Sequence, residues 1–124
     1  MPDAVAIVNR LVAAYNNKDF STLESLLSAN IDFTHFNRGF AFDKRAGILE
    51  IMRHFAYELA PDRKMEPADR VTIDGNLVVR EAFYTGTALA DIPNFAPQGH
   101  FSFKLCSVFR VNDSGVIVEW KDYG

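Results

Sequence analysis

Residues 99–124 read GHFSFKLCSVFRVNDSGVIVEWKDYG, and this stretch decides the fold. Two runs of alternating residues flank Asn112-Asp113-Ser114-Gly115, a pattern typical of two long antiparallel strands joined by a tight turn. Because side chains alternate between the faces of a strand, three apolar residues and one acid of the second run share a face: Val116, Val118, Trp120 and Asp122. This pattern predicts that the rest of the chain builds a small cavity around the Asp122 carboxylate.

Two interpretations of Asp122 remain open at this point. It could be a surface acid on a loosely held strand end. If it is buried beside Trp120, desolvation should raise its pKa, and a raised carboxyl pKa suits a general acid or base near neutral pH.

Length and composition limit the function classes. The 124 residues are predicted to form one domain, 1–124, with a core that needs no disulfide, and eleven Phe residues favour an aromatic-lined cavity. A net charge of −3 without a Lys/Arg cluster argues against a nucleic-acid partner. Without a signal peptide or an apolar run of about 20 residues, we expect a cytoplasmic protein that does not enter a membrane.

The first half of the chain is predicted to be mainly helical. Apolar spacing predicts a helix that starts at Pro2-Asp3 and is stopped by residues 16–19, and a shorter one with Leu23, Leu26 and Leu27 as its buried side. The period changes to two from Ile31, which indicates a strand that ends in a turn at residues 37–39. A short strand at residues 40–42 and a third helix follow. Asp43 is expected at the N-terminal cap or in the first turn of that helix, and the apolar stripe of the helix is Ile48, Met52, Phe55 and Leu59.

The second half is predicted to be rich in strands. Residues 71–73 and 77–90 flank Asp74-Gly75-Asn76, a hairpin signal, and the loop at 91–99 is long enough to cover part of the molecule. Helices followed by antiparallel strands indicate an α+β fold, with helices on one side of a curved sheet.

His35 and Glu81 are the other candidates for chemistry. His35 is in phase with Ile31 and Phe33, where a lone histidine is more often a core residue with one satisfied nitrogen than a catalyst. A carboxylate within hydrogen-bond reach, such as that of Asp122, would fix its tautomer and increase its basicity. Glu81 alternates with Arg80 on a strand whose two faces are almost equally apolar, so the pattern leaves open which of the two points inward. One such face could line a cavity while the other packs against a second subunit.

The strand at residues 101–109 is predicted to turn its Phe residues inward. Ser107 then lies among aromatic side chains as a possible hydrogen-bond donor to a ligand, although a buried serine often bonds only the backbone. The predicted ligand-binding set is Tyr15, Phe33, Phe83, Phe101, Phe103, Ser107 and Trp120. No spacing of His, Cys or acidic residues suggests a metal site, and Gly-rich phosphate loops are missing, so neither a metal nor a cofactor is expected.

Four strings carry a resemblance to a known superfamily. They are LVAAYNNKD at 11–19, RAGI at 45–48, FRVN at 109–112 and GVIVEWKDY at 115–123. With the order of elements, they resemble the nuclear transport factor 2 superfamily, which includes ketosteroid isomerases, SnoaL-type polyketide cyclases, limonene epoxide hydrolases and scytalone dehydratases.

The resemblance implies a cone in which three helices pack on a strongly curved, mixed but mainly antiparallel sheet and enclose an apolar pocket. It also implies a homodimer formed through the outer face of the sheet. The segment Trp120-Lys121-Asp122-Tyr123 resembles the Trp-Arg-Asp-Tyr segment of limonene epoxide hydrolases, whose aspartate faces the pocket. His35 falls near the proton-shuttling aspartate of the isomerases, and the resemblance favours Glu81 over Arg80 as the inward residue.

Other positions depart from these relatives. Leu11 and Ser107 replace the oxyanion-hole residues of the isomerases, while Glu81 and Phe83 replace the arginine and second aspartate of the epoxide hydrolases. The expectation is a small cofactor-independent enzyme of the isomerase, cyclase, dehydratase or epoxide hydrolase type. Asp122, His35 and Glu81 would transfer protons on a small apolar molecule. A non-catalytic binding or dimerisation module with the same fold is the alternative.

Overall fold

A computed structural model describes residues 2–124. Its helical part consists of α1 (Ala4–Asn16), α2 (Phe20–Leu26) and α3 (Arg45–His54), and α3 runs directly into a π-helical turn, Phe55–Leu59. Its strands are β1 (Leu27–His35), β2 (Phe40–Phe42), β3 (Lys64–Met65), β4 (Arg70–Asp74), β5 (Leu77–Ala88), β6 (Gly99–Val111) and β7 (Ile117–Tyr123).

All seven strands belong to one mixed sheet, with the order β2-β1-β7-β6-β5-β3 and with β4 also paired to β5. β1 and β7 run parallel, and every other pairing among residues 2–124 is antiparallel. α1 packs against β3, β5 and β6, while α3 packs against β1 and β2. The predicted α+β class is therefore confirmed. None of the helices within residues 2–124 has the length and apolarity needed to span a membrane.

The helices follow their sequence signals with two exceptions. Asp3 caps α1 by accepting a hydrogen bond from the Ala6 N–H at 3.1 Å, as the pattern predicts. Leu27 was predicted to be helical, but its backbone is extended and it begins β1, four residues before the predicted start. The predicted cap of α3 is also wrong, because Lys44 occupies that position and its side chain caps no backbone N–H.

The strands of the second half lie close to their predicted positions. β5 ends at Ala88 rather than residue 90, and β4 extends the predicted 71–73 by one residue on each side. β3 was not predicted because a two-residue strand has no periodicity to detect. On β6 the buried residues include Phe101, Leu105 and Phe109, which confirms the predicted inward face.

β7 carries a bulge that changes the predicted apolar stripe. Ile117 pairs with Val111 and Glu119 with Arg110, which leaves Val118 as an extra residue. Ile117 is consequently fully buried, whereas Val118 is half-buried. The stripe predicted through Val118 is wrong at this residue, but beyond the bulge Trp120 and Asp122 are both buried, as predicted.

Candidate active site

A cavity of about 80 Å³ lies between the helices and the sheet. Its wall is largely aromatic and includes Tyr15, Phe33, Phe40, Phe55, Tyr84 and Phe95. Two titratable side chains of the sheet, His35 and Asp122, also line it. Since one buried water needs roughly 10–15 Å³, this space would hold on the order of five to eight waters or one small organic molecule.

Asp122 is buried, with 4% of its surface exposed. Its Oδ1 atom accepts hydrogen bonds from the Ser107 hydroxyl at 2.5 Å and from the Trp120 indole N–H at 2.7 Å. Oδ2 accepts no hydrogen bond from residues 2–124, so one carboxylate oxygen remains free for a group in the cavity. Burial raises the pKa of Asp122 to about 6, against the lowering effect of the two hydrogen bonds.

The neighbouring strands hold Asp122 in place. It pairs with Ser107 of β6 and with His35 of β1, which puts all three side chains on the same face of the sheet. The Phe36 N–H donates to the Asp122 carbonyl at 3.0 Å, and Asn37 accepts from the Gly124 N–H at 2.8 Å. The strand end is therefore bonded on both sides of Asp122, and the interpretation of Asp122 as an exposed acid on a loose strand end is wrong.

His35 is also buried, but it makes no hydrogen bond with Asp122. Within the described residues both of its ring nitrogens lack a hydrogen-bond partner. Burial, together with the nearby charge of Arg38, lowers the pKa of His35 to about 4. His35 is thus neutral at pH 7, and the increase in basicity that a bonded carboxylate would have produced is absent. A neutral imidazole offers one donor and one acceptor to a molecule in the cavity.

Glu81 and Phe83 lie on the outer face of the sheet, so their predicted inward orientation is wrong. Glu81 forms an ion pair with Arg70 of β4, with Nη2 and Oε1 2.9 Å apart, and this hydrogen bond lowers the pKa of Glu81. Phe83 is 43% exposed. Arg80 is the inward residue and donates to the Glu66 carbonyl at 2.5 Å. Because the two faces of β5 are almost equally apolar, the sequence pattern could not show whether Glu81 or Arg80 points inward.

The other predicted ligand-binding residues divide into two groups. Tyr15, Phe33 and Trp120 line the cavity, and the Phe33 and Trp120 rings meet edge to face at 5.1 Å. Phe101 and Phe103 do not line it but support rings that do, namely those of Tyr84 and Phe95. Ser107 contacts Asp122 rather than the cavity itself.

Sequence reasoning missed several residues at or near the cavity, among them Tyr84, Phe95 and Arg63. Tyr84 belongs to the inward face of β5, where its phase with Val78 and Ala82 was the available signal. Phe95 comes from the loop predicted at 91–99, and its ring lies 4.9 Å from that of Phe55. Arg63 is 2% exposed and had no signal, because a single charged residue after a helix usually points to solvent.

The cavity residues do not form a metal site. Within residues 2–124 no group of three or more His, Cys, Asp or Glu side chains is arranged to hold a metal ion. The arrangement offers a free oxygen on a carboxylate with a raised pKa, a neutral imidazole, and a largely apolar cavity wall.

A family comparison assigns most of the chain to one domain type. Residues 8–120 match the family model of the SnoaL-like domain. Among curated proteins, none matches the sequence significantly.

Solved structures share the fold at low sequence identity. A putative polyketide cyclase from Pseudomonas putida is 21% identical and has a TM-score of 0.83. The match covers 100% of this chain and 92% of the cyclase chain. An LEH-like epoxide hydrolase from M. tuberculosis is 21% identical with a TM-score of 0.76. The match covers 97% of this chain and 80% of the hydrolase chain. A hypothetical protein with a ketosteroid isomerase-like fold from Catenulispora acidiphila, solved with trimethylamine, is 18% identical with a TM-score of 0.78, and the match covers 95% of this chain and 84% of the other.

Proposed function

Because the chain belongs to the SnoaL-like domain family, we propose that its cavity is an active site in which Asp122 transfers protons to and from a small, largely apolar molecule without a cofactor. Structural neighbours described as a putative polyketide cyclase and as an epoxide hydrolase have the same fold. Their sequence identity is too low to carry their activities over, so the proposal rests on the cavity of this chain.

The observation that carries the proposal is the state of Asp122. A carboxylate that served only the fold would have both oxygens bonded, because an unpaired buried oxygen costs free energy. Here Ser107 and Trp120 hold one oxygen and leave the other at the cavity wall. With a pKa of about 6, this oxygen is mostly ionised at pH 7 and binds protons far more readily than an ordinary aspartate.

The proposed cycle uses residues of this chain alone. Oδ2 of Asp122 removes a proton from the bound molecule and later returns it to a second position. Ser107 and Trp120 keep the carboxylate in one orientation throughout, and neutral His35 donates or accepts a hydrogen bond at the same molecule. Such general acid/base work contributes roughly 10²–10⁴-fold in rate.

The test measures proton transfer directly. The protein is incubated in D₂O with a panel of small cyclic ketones, unsaturated ketones and epoxides, and NMR follows deuterium incorporation and product formation. Asp122→Asn should lower the rate at least about 100-fold, whereas Asp113→Asn, in the exposed turn before β7, should leave it unchanged. An Asp122→Asn variant that keeps the wild-type rate would refute the proposal. Binding without deuterium incorporation or turnover by the wild type would indicate a non-catalytic binding protein instead.

A further inference from the structure

The segment of residues 90–98, between β5 and β6, forms part of the cavity wall. Ile92, Phe95 and Ala96 are buried, whereas the other residues of the segment are exposed, so the segment lies between the cavity and solvent. Phe95 is the residue of the segment that lines the cavity, and its ring packs against that of Phe55 on the opposite side of the wall. If the segment moved away, the cavity wall would open at Phe95.

Hydrogen bonds join this segment mainly to itself. The Ile92 N–H donates to the Ala96 carbonyl at 2.8 Å. The Gln98 N–H donates to the Asp91 carboxylate, also at 2.8 Å. Among the described residues, a single hydrogen bond leads from the 90–98 segment to another part of the chain. A segment with internal hydrogen bonds and few bonds to its surroundings can move as one unit.

The single outward bond comes from Arg38, which lies on the turn between β1 and β2. Its Nη1 donates to the Phe95 carbonyl at 2.5 Å, and its Nε donates to the Gly124 carbonyl at 3.3 Å. The guanidinium carbon also lies 4.0 Å from the centre of the Phe103 ring and 5.4 Å from that of Phe95. A charged donor makes a stronger hydrogen bond than a neutral one, and the ring contacts add cation–π attraction. Arg38 therefore holds both the backbone and the ring of Phe95 in place.

Both ends of the segment are anchored. The Leu89 N–H donates to the Leu59 carbonyl at 2.9 Å, and Ala88 pairs with Gly99 where the β5–β6 hairpin begins. Gly99 has a φ of +112°, and a Cβ at this position would meet nothing within 4 Å. Its backbone can therefore change conformation without a steric clash, as a hinge residue must.

We infer that residues 90–98 form a lid over the cavity, that Arg38 holds the lid closed, and that release of Phe95 from Arg38 admits molecules to Asp122. Arg38 does not line the cavity, so it acts as a positioning residue that works through Phe95. The inference goes beyond the proposed function, because an active site and a non-catalytic binding cavity would both need such an entrance.

Trp120 reports on opening of the lid. It is the single tryptophan of the chain, it lines the cavity, and its indole N–H donates to Asp122 at 2.7 Å. NMR can therefore follow the exchange of this one hydrogen for deuterium in D₂O. If the lid opens locally, urea below the unfolding transition should leave this exchange rate unchanged. The same urea should speed exchange of the Phe109 backbone N–H, which lies on β6 between two neighbouring strands.

Arg38→Met removes the guanidinium and keeps the aliphatic stem. It should speed exchange of the Trp120 indole hydrogen about ten- to a hundredfold, as expected for the loss of a charge-assisted hydrogen bond, and the exchange should stay insensitive to urea. Arg53→Met is the matched control, because Arg53 of α3 packs on the Phe20 ring at 4.8 Å and does not contact the lid. This control should leave the indole exchange unchanged.

Phe95→Ala tests the lid itself, because it keeps the carbonyl that Arg38 binds and removes only the ring from the wall. It should also speed the indole exchange. If Arg38→Met does not fold, Phe95→Ala and the urea series on the wild type decide the inference. A wild-type rate of indole exchange in a folded Arg38→Met or Phe95→Ala variant would overturn it. So would wild-type indole exchange that rises with urea in parallel with Phe109. The measurement needs no ligand, so its outcome is independent of whether Asp122 transfers protons.

Discussion

Asp122 and His35 are neighbours in the sheet, yet their protonation equilibria are shifted in opposite directions. The pKa of Asp122 is raised to about 6, so between about pH 4 and 6 the folded state binds more protons than the unfolded chain, and stability falls as pH rises. The pKa of His35 is lowered to about 4, so between about pH 4 and 6.5 the folded state binds fewer protons, and stability rises with pH. The two effects largely offset each other in the wild type.

Single substitutions should reveal each effect. Relative to the wild type, Asp122→Asn should gain about 2 kcal/mol in free energy of unfolding as pH rises from 4 to 6.5, and His35→Gln should lose a similar amount, about 2–3 kcal/mol, over the same interval. Urea unfolding at a series of pH values measures both differences. Difference profiles that do not change with pH would show that these groups are not shifted by burial.

The hydrogen bonds to Oδ1 set how far the Asp122 pKa can rise. The Ser107 hydroxyl stabilises the ionised carboxylate, so Ser107→Ala should raise the pKa of Asp122 further. A ¹³C NMR titration of the carboxyl carbon measures this without an activity assay. Ser114→Ala, in the exposed turn before β7, serves as the control. A titration midpoint in Ser107→Ala at or below that of the wild type would contradict the assigned contact.

At the scale of elements, β5 must pass very close to the segment that carries Arg63. A Cβ on Gly86 would lie 3.1 Å from the Arg63 Cα and 2.6 Å from the Phe101 ring. Gly86→Ala should therefore force backbone movement and lower the free energy of unfolding by about 1–3 kcal/mol. Thermal or urea unfolding against Thr85→Ala, on the other face of the same strand, checks this. Equal stability of the two variants would show that the approach is not tight.

At the scale of the whole molecule, the outer face of the sheet leaves large apolar side chains exposed. Phe83 of β5 and Tyr123 of β7 are 43% and 45% exposed on this face, and Phe36, which is 54% exposed, stacks on Tyr123 with 4.9 Å between the ring centres. We expect this face to join two copies of the chain, because exposed apolar patches often mark protein interfaces. Sedimentation should give a dimer, and Phe83→Lys should shift it toward the monomer, whereas Lys44→Glu, before α3, should not. A wild-type monomer at micromolar concentration would refute this expectation.

The fold could be predicted because its signals are local and repeated. Alternation on β6 and the helical stripes each extend over many residues, so one misplaced cap at Asp43 or one early strand start at Leu27 did not change the class. The site was only partly predictable. Asp122 and His35 could be found because each interrupts an apolar stripe on a half-buried strand.

The remaining site residues depend on contacts that no sequence pattern records. β5 is apolar on both faces, so the choice between the Glu81 and the Arg80 face depended on whether β5 meets α1 with Tyr84 or with Phe83. The burial of Arg63 depends on a backbone approach that only the folded chain produces. Residue type alone predicted neither the inward position of Arg80 nor the burial of Arg63.

The parallel pairing of β1 with β7 has a consequence for how the molecule folds. β7 is the strand that joins the β1–β2 hairpin to the rest of the sheet, and it lies between β1 and β6. The β6–β7 hairpin can form locally, but closing β1 onto β7 brings together residues such as His35 and Asp122 that are far apart in the chain, which makes the step slow. During synthesis, the edge of β1 that pairs with β7 stays unpaired until residues 117–123 have left the ribosome. Because His35 and Asp122 line the cavity from these two strands, the cavity cannot be complete before β1 and β7 have paired.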